Sequence, residues 1–215
     1  VVNLWWRLVR LGFRLLYNEM AFTYDWVSYI VSLGAWRCWQ RAALKHLKVD
    51  SGKLVLEIAH GTGNLQLNLR EAGYRTIGYD LSPYMGRIAR TKLIRRGYPA
   101  NLIRGQAQQL PFSAGSFAAV VSTFPTDFIV QAETLREVNR VLEADGQFII
   151  VPNGALTGGG VSGAGIEWLY RITGQRGEKS TDLGDYFGSF GFDAEMVIES
   201  CPRSIAQVII ARKRG

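Results

Sequence analysis

The sequence predicts an α/β protein built on a doubly wound, mostly parallel sheet of about seven strands. Three observations carry that prediction. From residue 53 onward, short apolar runs alternate with amphipathic stretches, the rhythm of strand and crossover helix. A glycine-rich turn, Gly61-Thr62-Gly63, closes the first apolar run. Asp80 closes the second, 23 residues after Glu57. Right-handed crossovers then set helices on both faces of the sheet.

Before that rhythm begins, residues 4–47 show no strand-like alternation, and Gly12 and Gly34 punctuate two or three helices. Residues 1–48 are expected to form a helical cap belonging to the same unit as residues 49–215. Residues 53–58 read as a buried parallel strand, and a helix follows the glycine turn and ends near Gly73. Residues 74–79 form the second strand. Ser82 then caps a helix with Pro83 at its first position, where the missing N–H costs nothing. That helix stops at Gly97. Residues 101–104 and 117–123 are the third and fourth strands, and residues 131–142 a helix. Asp145-Gly146 turns the chain into a fifth strand at 147–151. A glycine-rich stretch follows, and residues 153–181 read as a lid-like insertion with a short helix at 166–172. A helix at 182–190 and two closing strands at 195–199 and 207–211 complete the chain.

Composition bounds the reading. A length of 215 residues suits one domain. Cys38 and Cys201 lack CxxC spacing, which suits two unpaired thiols in a reducing, cytoplasmic setting. His46 and His60 are the only histidines, so no metal-ligand cluster is expected. The net charge of +7 favours anionic partners, although the basic residues are dispersed as solvated faces would be. No run reaches the roughly 18 apolar residues of a spanning helix, and no signal-peptide pattern is present.

The candidate site gathers at the ends of the first two strands. In Val55-Leu56-Glu57-Ile58-Ala59-His60-Gly61-Thr62-Gly63-Asn64, small residues let a ligand approach backbone N–H groups at a helix start. Asp80 can accept hydrogen bonds from both hydroxyls of a ribose, or serve only as a turn aspartate. Together these features point to a nucleoside-containing cofactor. The stretch Gly61-Thr62-Gly63-Asn64-Leu65-Gln66 lacks the third glycine of the dinucleotide fingerprint, which weighs against a nicotinamide cofactor.

Taken with Gly78-Tyr79-Asp80-Leu81-Ser82, Leu110-Pro111-Phe112 with Ser116-Phe117, and Leu135-Arg136-Glu137-Val138-Asn139-Arg140-Val141-Leu142 leading to Gly146, the chain resembles the class I S-adenosylmethionine-dependent methyltransferases. Within them it is similar to the ubiquinone and menaquinone methyltransferase branch. The resemblance covers residues 49–215 and implies a Rossmann-like sheet with a C-terminal antiparallel strand. It implies that Glu57, Ala59, His60, Gly61 and Gly63 shape the methionine end of the cofactor pocket. Asp80 would hold the ribose, Leu81 and Met85 flank the adenine, and Gln106 and Ala107 meet its edge. Phe124 would line the boundary with the acceptor. Three positions depart from the family pattern: Ala59 replaces its first glycine, and Gln106 and Ala118 replace common aspartates.

The implied reaction is in-line methyl transfer from S-adenosylmethionine, giving S-adenosylhomocysteine, with the hard chemistry carried by the cofactor. No strong general base stands out. His60 is either an acid–base residue or an ordinary loop residue with its ring in solvent or packed sideways, and Asp127 is either a weak base candidate or a helix cap. Tyr24, Trp26, Trp168 and Tyr170 are lid candidates, suggesting a hydrophobic or aromatic acceptor such as a quinone, lipid headgroup or natural product. Arg7, Arg10 and Arg14 share one helical face in an otherwise apolar segment. That segment either lies in a membrane interface or docks on protein. Two other functions stay open at this point: a nicotinamide-dependent oxidoreductase and a catalytically silent cofactor-binding adaptor. A nucleic-acid substrate is disfavoured, because Thr123-Phe124-Pro125-Thr126 stands where a base-flipping motif would be.

Overall fold

The structure, a computed structural model, describes residues 32, 34–156 and 183–215. Helix α1 (Trp36–His46) precedes strand β1 (Leu54–Ile58), and α2 (Asn64–Glu71), β2 (Arg75–Asp80), α3 (Pro83–Arg95) and β3 (Leu102–Arg104) follow. A loop leads to β4 (Phe117–Thr123), a 3-10 turn (Asp127–Val130), α4 (Ala132–Val141) and β5 (Leu142–Val151). Strand β6 (Gly154–Leu156), helix α5 (Leu183–Gly188), and strands β7 (Phe192–Cys201) and β8 (Ser204–Lys213) complete the described elements.

The sheet runs β3-β2-β1-β4-β5 in parallel, and β8 then adds antiparallel to β5. β7 pairs antiparallel along the other edge of β8 over the full length of both strands. β6 continues the β5 edge of β8 after a one-residue slip, since Ile150 faces Ile209 but Gly154 faces Ala206. This is the expected Rossmann-like order. Strand order reverses between β1 and β4, and the crevice beyond the carboxyl ends of those strands is where such sheets bind ligands.

Burial explains why the parallel part was legible. Every residue of β4 is buried, as a central strand covered on both faces requires. Val55, Val121 and Ile149 face one core with Leu65 and Trp39, while Leu56, Ile58 and Phe148 face the other with Leu135 and Phe187. Ser82 caps α3 as expected, its Oγ accepting from the Met85 N–H at 3.3 Å.

Three expectations are corrected. The closing strands are ten residues each rather than five. β7 is exposed on both faces, at Asp193 and Glu195 on one and Met196, Ile198 and Ser200 on the other, so no clean alternation marks its length. The helix expected through Leu142 ends at Val141, because Leu142 pairs with Phe117 and opens β5. Cys38 and Cys201 are not free thiols: they form a disulfide with a Cα separation of 6.0 Å, joining α1 to the end of β7 across 163 residues. The compartment argument from unpaired cysteines falls with it. α1 is further held by Trp39 Nε1 donating to Ser204 Oγ at 3.1 Å, and by Lys45 and His46 against Glu199 at 2.6 and 2.9 Å. The remainder of the cap, the helix expected at 166–172 and most of the lid-like insertion lie outside the described residues. Among those described, no helix is long and apolar enough to cross a membrane, and no group of side chains could hold a metal ion.

The loop from β3 to β4 carries no helix and is instead fastened to α4 by charge. Arg140 donates to both carboxylate oxygens of Glu137 at 2.7 and 2.8 Å, and to the carbonyls of Phe112 and Leu110 at 2.7 and 3.0 Å. Glu137 also accepts from the Leu110 N–H at 2.7 Å. The Arg140 hydrogen bond holds the Glu137 carboxyl below its ordinary range. The Leu110-Pro111-Phe112 and residue 135–142 motifs are thus two halves of one clamp. Arg140→Ala should cost about 2 kcal/mol, a figure discounted from ~1.5–3 kcal/mol per charged hydrogen bond because the guanidinium is partly solvated. Urea unfolding checks it, and an unchanged midpoint would mean that packing of Leu110 and Phe112 alone holds the loop.

Candidate active site

The turn after β1 takes a left-handed backbone at three positions, Ala59 (φ 59°), Gly61 (φ 52°) and Gly63 (φ 78°). Gly63 has a second reason to be glycine: a Cβ there would meet Ala89 Cβ of α3 at 2.7 Å. Ala59 occupies a conformation that costs an L-residue roughly 1–2 kcal/mol, which rationalises glycine as the usual residue there. Ala59→Gly should therefore raise unfolding stability by about 0.5–1 kcal/mol, after the entropy glycine adds to the unfolded chain. A denaturant titration showing lower stability would mean that the Ala59 methyl contributes packing that outweighs the strain.

Asp80 ties this turn to the next one. Its Oδ2 accepts from the Gly61 N–H at 2.9 Å and its Oδ1 from the Ser82 N–H at 2.8 Å. Each oxygen keeps acceptor capacity for a further donor. Asp80 is therefore a turn aspartate and also part of a cavity wall.

That cavity, of about 640 Å³, lies at the carboxyl ends of β1, β2 and β4, within the range of small-molecule sites. Ala59, Gly61, Asp80, Leu81, Met85, Gln106, Ala107 and Phe124, all expected at a site, line it together. Phe124 sits at the far side with φ 52°, a strained conformation for a bulky residue and one that tends to mark functional positions. Its N–H still pairs with the Val151 carbonyl at 2.8 Å. Its ring stacks on Trp36 of α1, with centroids 3.8 Å apart and planes at 21°.

Three expected residues stand behind the wall. Gly63 packs on α3. Glu57 is 1% exposed, and its Oε2 has no hydrogen-bond partner. Burial pushes its carboxyl up to about 8; the Asp80 charge pushes the same way, while the Gln66 hydrogen bond and the Lys92 charge oppose. Glu57 thus holds a proton at neutral pH. His60 is 4% exposed, with Nδ1 2.8 Å from the Gly61 carbonyl, so Nδ1 carries the proton in the neutral ring. Burial lowers its pKa, against the Asp80 charge. Its Cδ2 edge lies against Gly78, which makes it a packed neutral ring with no exposure to the cavity.

Asp127 is exposed on the 3-10 turn and does not line the cavity; Thr126, not Asp127, occupies the cap position. Tyr24, Trp26, Trp168 and Tyr170 lie outside the described residues, as do Arg7, Arg10 and Arg14. The sequence reading missed Arg104, Thr123 and Phe128 in the wall. Arg104 also donates to the Leu81 carbonyl at 3.0 Å and holds the turn before α3. Arg104 and Thr123 end β3 and β4, and that position at the carboxyl end of a parallel strand was the signal available for them.

Comparison with known proteins agrees with this geometry. A sequence profile described as "Methyltransferase domain" matches residues 56–150. The demethylmenaquinone methyltransferase of Thermus thermophilus is 34% identical over 139 residues, 63% of this chain and 63% of that one. The ubiquinone/menaquinone biosynthesis C-methyltransferase UbiE of Geotalea uraniireducens is 30% identical over 142 residues, 63% of this chain and 60% of that one. The chain thus spans about three fifths of the length of the curated relatives it matches. Among solved structures, phosphoethanolamine N-methyltransferase 2 of Haemonchus contortus, in complex with phosphomonomethylethanolamine and S-adenosylhomocysteine, superposes with a TM-score of 0.65. That match is at 16% identity, over 94% of this chain and 58% of that one, and it bears on fold alone.

Proposed function

We propose, from the match of residues 56–150 to the methyltransferase domain profile, that the chain transfers a methyl group from S-adenosylmethionine to a small apolar, aromatic acceptor. The observation that carries the proposal is Asp80, held at the cavity wall by Gly61 and Ser82 beside a left-handed glycine turn. The residues present fit the donor. The turn leaves room for an amino-acid moiety, and the partnerless Oε2 of Glu57 lies behind it.

The bound donor supplies an electrophilic methyl carbon on a sulfonium. Asp80 would accept from the ribose hydroxyls, Leu81 and Met85 would flank the adenine, and Gln106 would accept from its amino group through the amide oxygen. Phe124, backed by Trp36, would close the acceptor side, exclude water and orient the incoming ring. Much of the rate enhancement would then come from positioning. His60 and Asp127 are not proposed as bases: one is packed behind the wall and the other stands in solvent. With neither of these candidate bases at the cavity, an acceptor that carries its own acidity, such as a phenol-like ring, suits the site best.

The names of the two relatives support a quinone-like acceptor. Nothing found favours a nicotinamide cofactor or a silent adaptor. We further propose that the N-terminal segment bearing Arg7, Arg10 and Arg14 touches the membrane surface, where an apolar acceptor would reside. The acceptor class is tested by transfer of labelled methyl from S-adenosylmethionine to a reduced naphthoquinone lacking a ring methyl. Label in the naphthoquinone is expected. Label passing to phosphomonomethylethanolamine instead would overturn the acceptor assignment.

A further inference from the structure

At the opposite end of the sheet from the donor cavity, the first residues of β1, β2 and β3 enclose a cleft of about 380 Å³. Two arginines stand in its wall, Arg70 from the last turn of α2 and Arg75 at the start of β2. The Arg70 guanidinium is fixed, its Nη2 donating to the Thr76 carbonyl at 3.0 Å, while its Nε is buried without a hydrogen-bond partner. Among the described residues neither arginine takes part in an ion pair, and no carboxylate lines the cleft. The nearest acid in sequence, Glu71, pairs with Arg96 at 3.6 Å instead. Burial and then the charge of Arg75 pull the Arg70 pKa down, as desolvation beside a like charge does.

Beside this pair the cleft is apolar. Leu54, Ile77 and Leu102 are partly exposed in it, and Ile103 is 39% exposed. A guanidinium pair matches the oxygens of a tetrahedral dianion better than one lysine-like point charge would, and the adjoining apolar wall suits a short hydrocarbon body. The concave shape favours a small molecule.

We infer that this cleft binds the phosphate group of a small phosphate monoester between Arg70 and Arg75, with its apolar portion against Ile77 and Ile103. The site is separate from the methyl-transfer cavity and does not depend on that assignment. Calorimetric titration of the full chain with phenyl phosphate tests it. Saturable binding is expected, weakened about tenfold or more by Arg75→Gln, the loss of one charge-assisted contact. Arg70→Lys should weaken it less, because charge survives and the planar fork does not. Thermal unfolding of both variants should match the parent chain, which separates loss of ligand from loss of fold. Co-sedimentation with vesicles containing phosphatidic acid, whose headgroup is itself a phosphate monoester, forms a second arm. Arg75-dependent sedimentation without phenyl phosphate binding would identify the same phosphate chemistry in a lipid headgroup. Equal phenyl phosphate binding by the parent and Arg75→Gln, or no saturable binding of either probe, would overturn the inference.

Discussion

Asp80→Ala should lower affinity for S-adenosylhomocysteine at least about 100-fold, a loss near 2.7 kcal/mol. Two hydrogen bonds from ribose hydroxyls to a carboxylate are worth ~1.5–3 kcal/mol each. The same substitution removes the acceptor of the Gly61 and Ser82 N–H groups, so the turn that frames the donor loosens as well. Asp80→Asn separates the two effects. It keeps the size of the side chain and one acceptor oxygen but turns the second contact into a donor facing a donor. Calorimetry should rank the variants parent, Asp80→Asn, Asp80→Ala. Equal affinity in all three would show that the sugar is held elsewhere.

The second large effect concerns Glu57. Its folded-state pKa, raised by burial from 4.5 to about 8, means that the folded chain keeps a proton the unfolded chain releases. Between those values folding takes up a proton, so stability falls as pH rises, by up to about 1.4 kcal/mol per unit. Other shifts must be kept apart. The lowered pKa of His60 works oppositely below about 6.5, where the unfolded imidazole gains a proton first. Glu137 and Glu199, lowered by their Arg140 and Lys45 partners, lose their stabilisation only as pH falls below the ordinary glutamate range. The window from about 6.5 to 8 therefore isolates Glu57. Glu57→Gln keeps the shape and cannot ionise, so its stability advantage over the parent should grow through that window. Urea unfolding at several pH values reads it. A constant difference would mean that Glu57 is already ionised when folded, its charge met by Lys92.

Much of this site could be read in the chain before any coordinates. Gly61, Gly63 and Asp80 stand at the ends of buried parallel strands, which betray themselves as continuous apolar runs. Leu81, Met85, Gln106, Ala107 and Phe124 follow from the same strand ends once the family motifs are matched, and all line one cavity. What was not legible depends on contacts between distant segments. The ring of His60 turns toward Gly78 of a neighbouring strand, which decides between a packed loop residue and an acid–base one, a choice the chain alone left open. Cys38 and Cys201 meet only because α1 lies on the β7–β8 hairpin, and no spacing rule spans 163 residues. The stack of Trp36 on Phe124 required knowing where α1 docks. Polar and apolar residues are mixed on both faces of β7, which hid half of its length.

The central claim is that the cavity beside Asp80 takes S-adenosylmethionine. Isothermal titration of the full chain with S-adenosylmethionine and, separately, with NAD tests it most directly. One saturable site for the methyl donor and no heat of binding for NAD is the predicted outcome. Saturable NAD binding with none for S-adenosylmethionine would contradict the account.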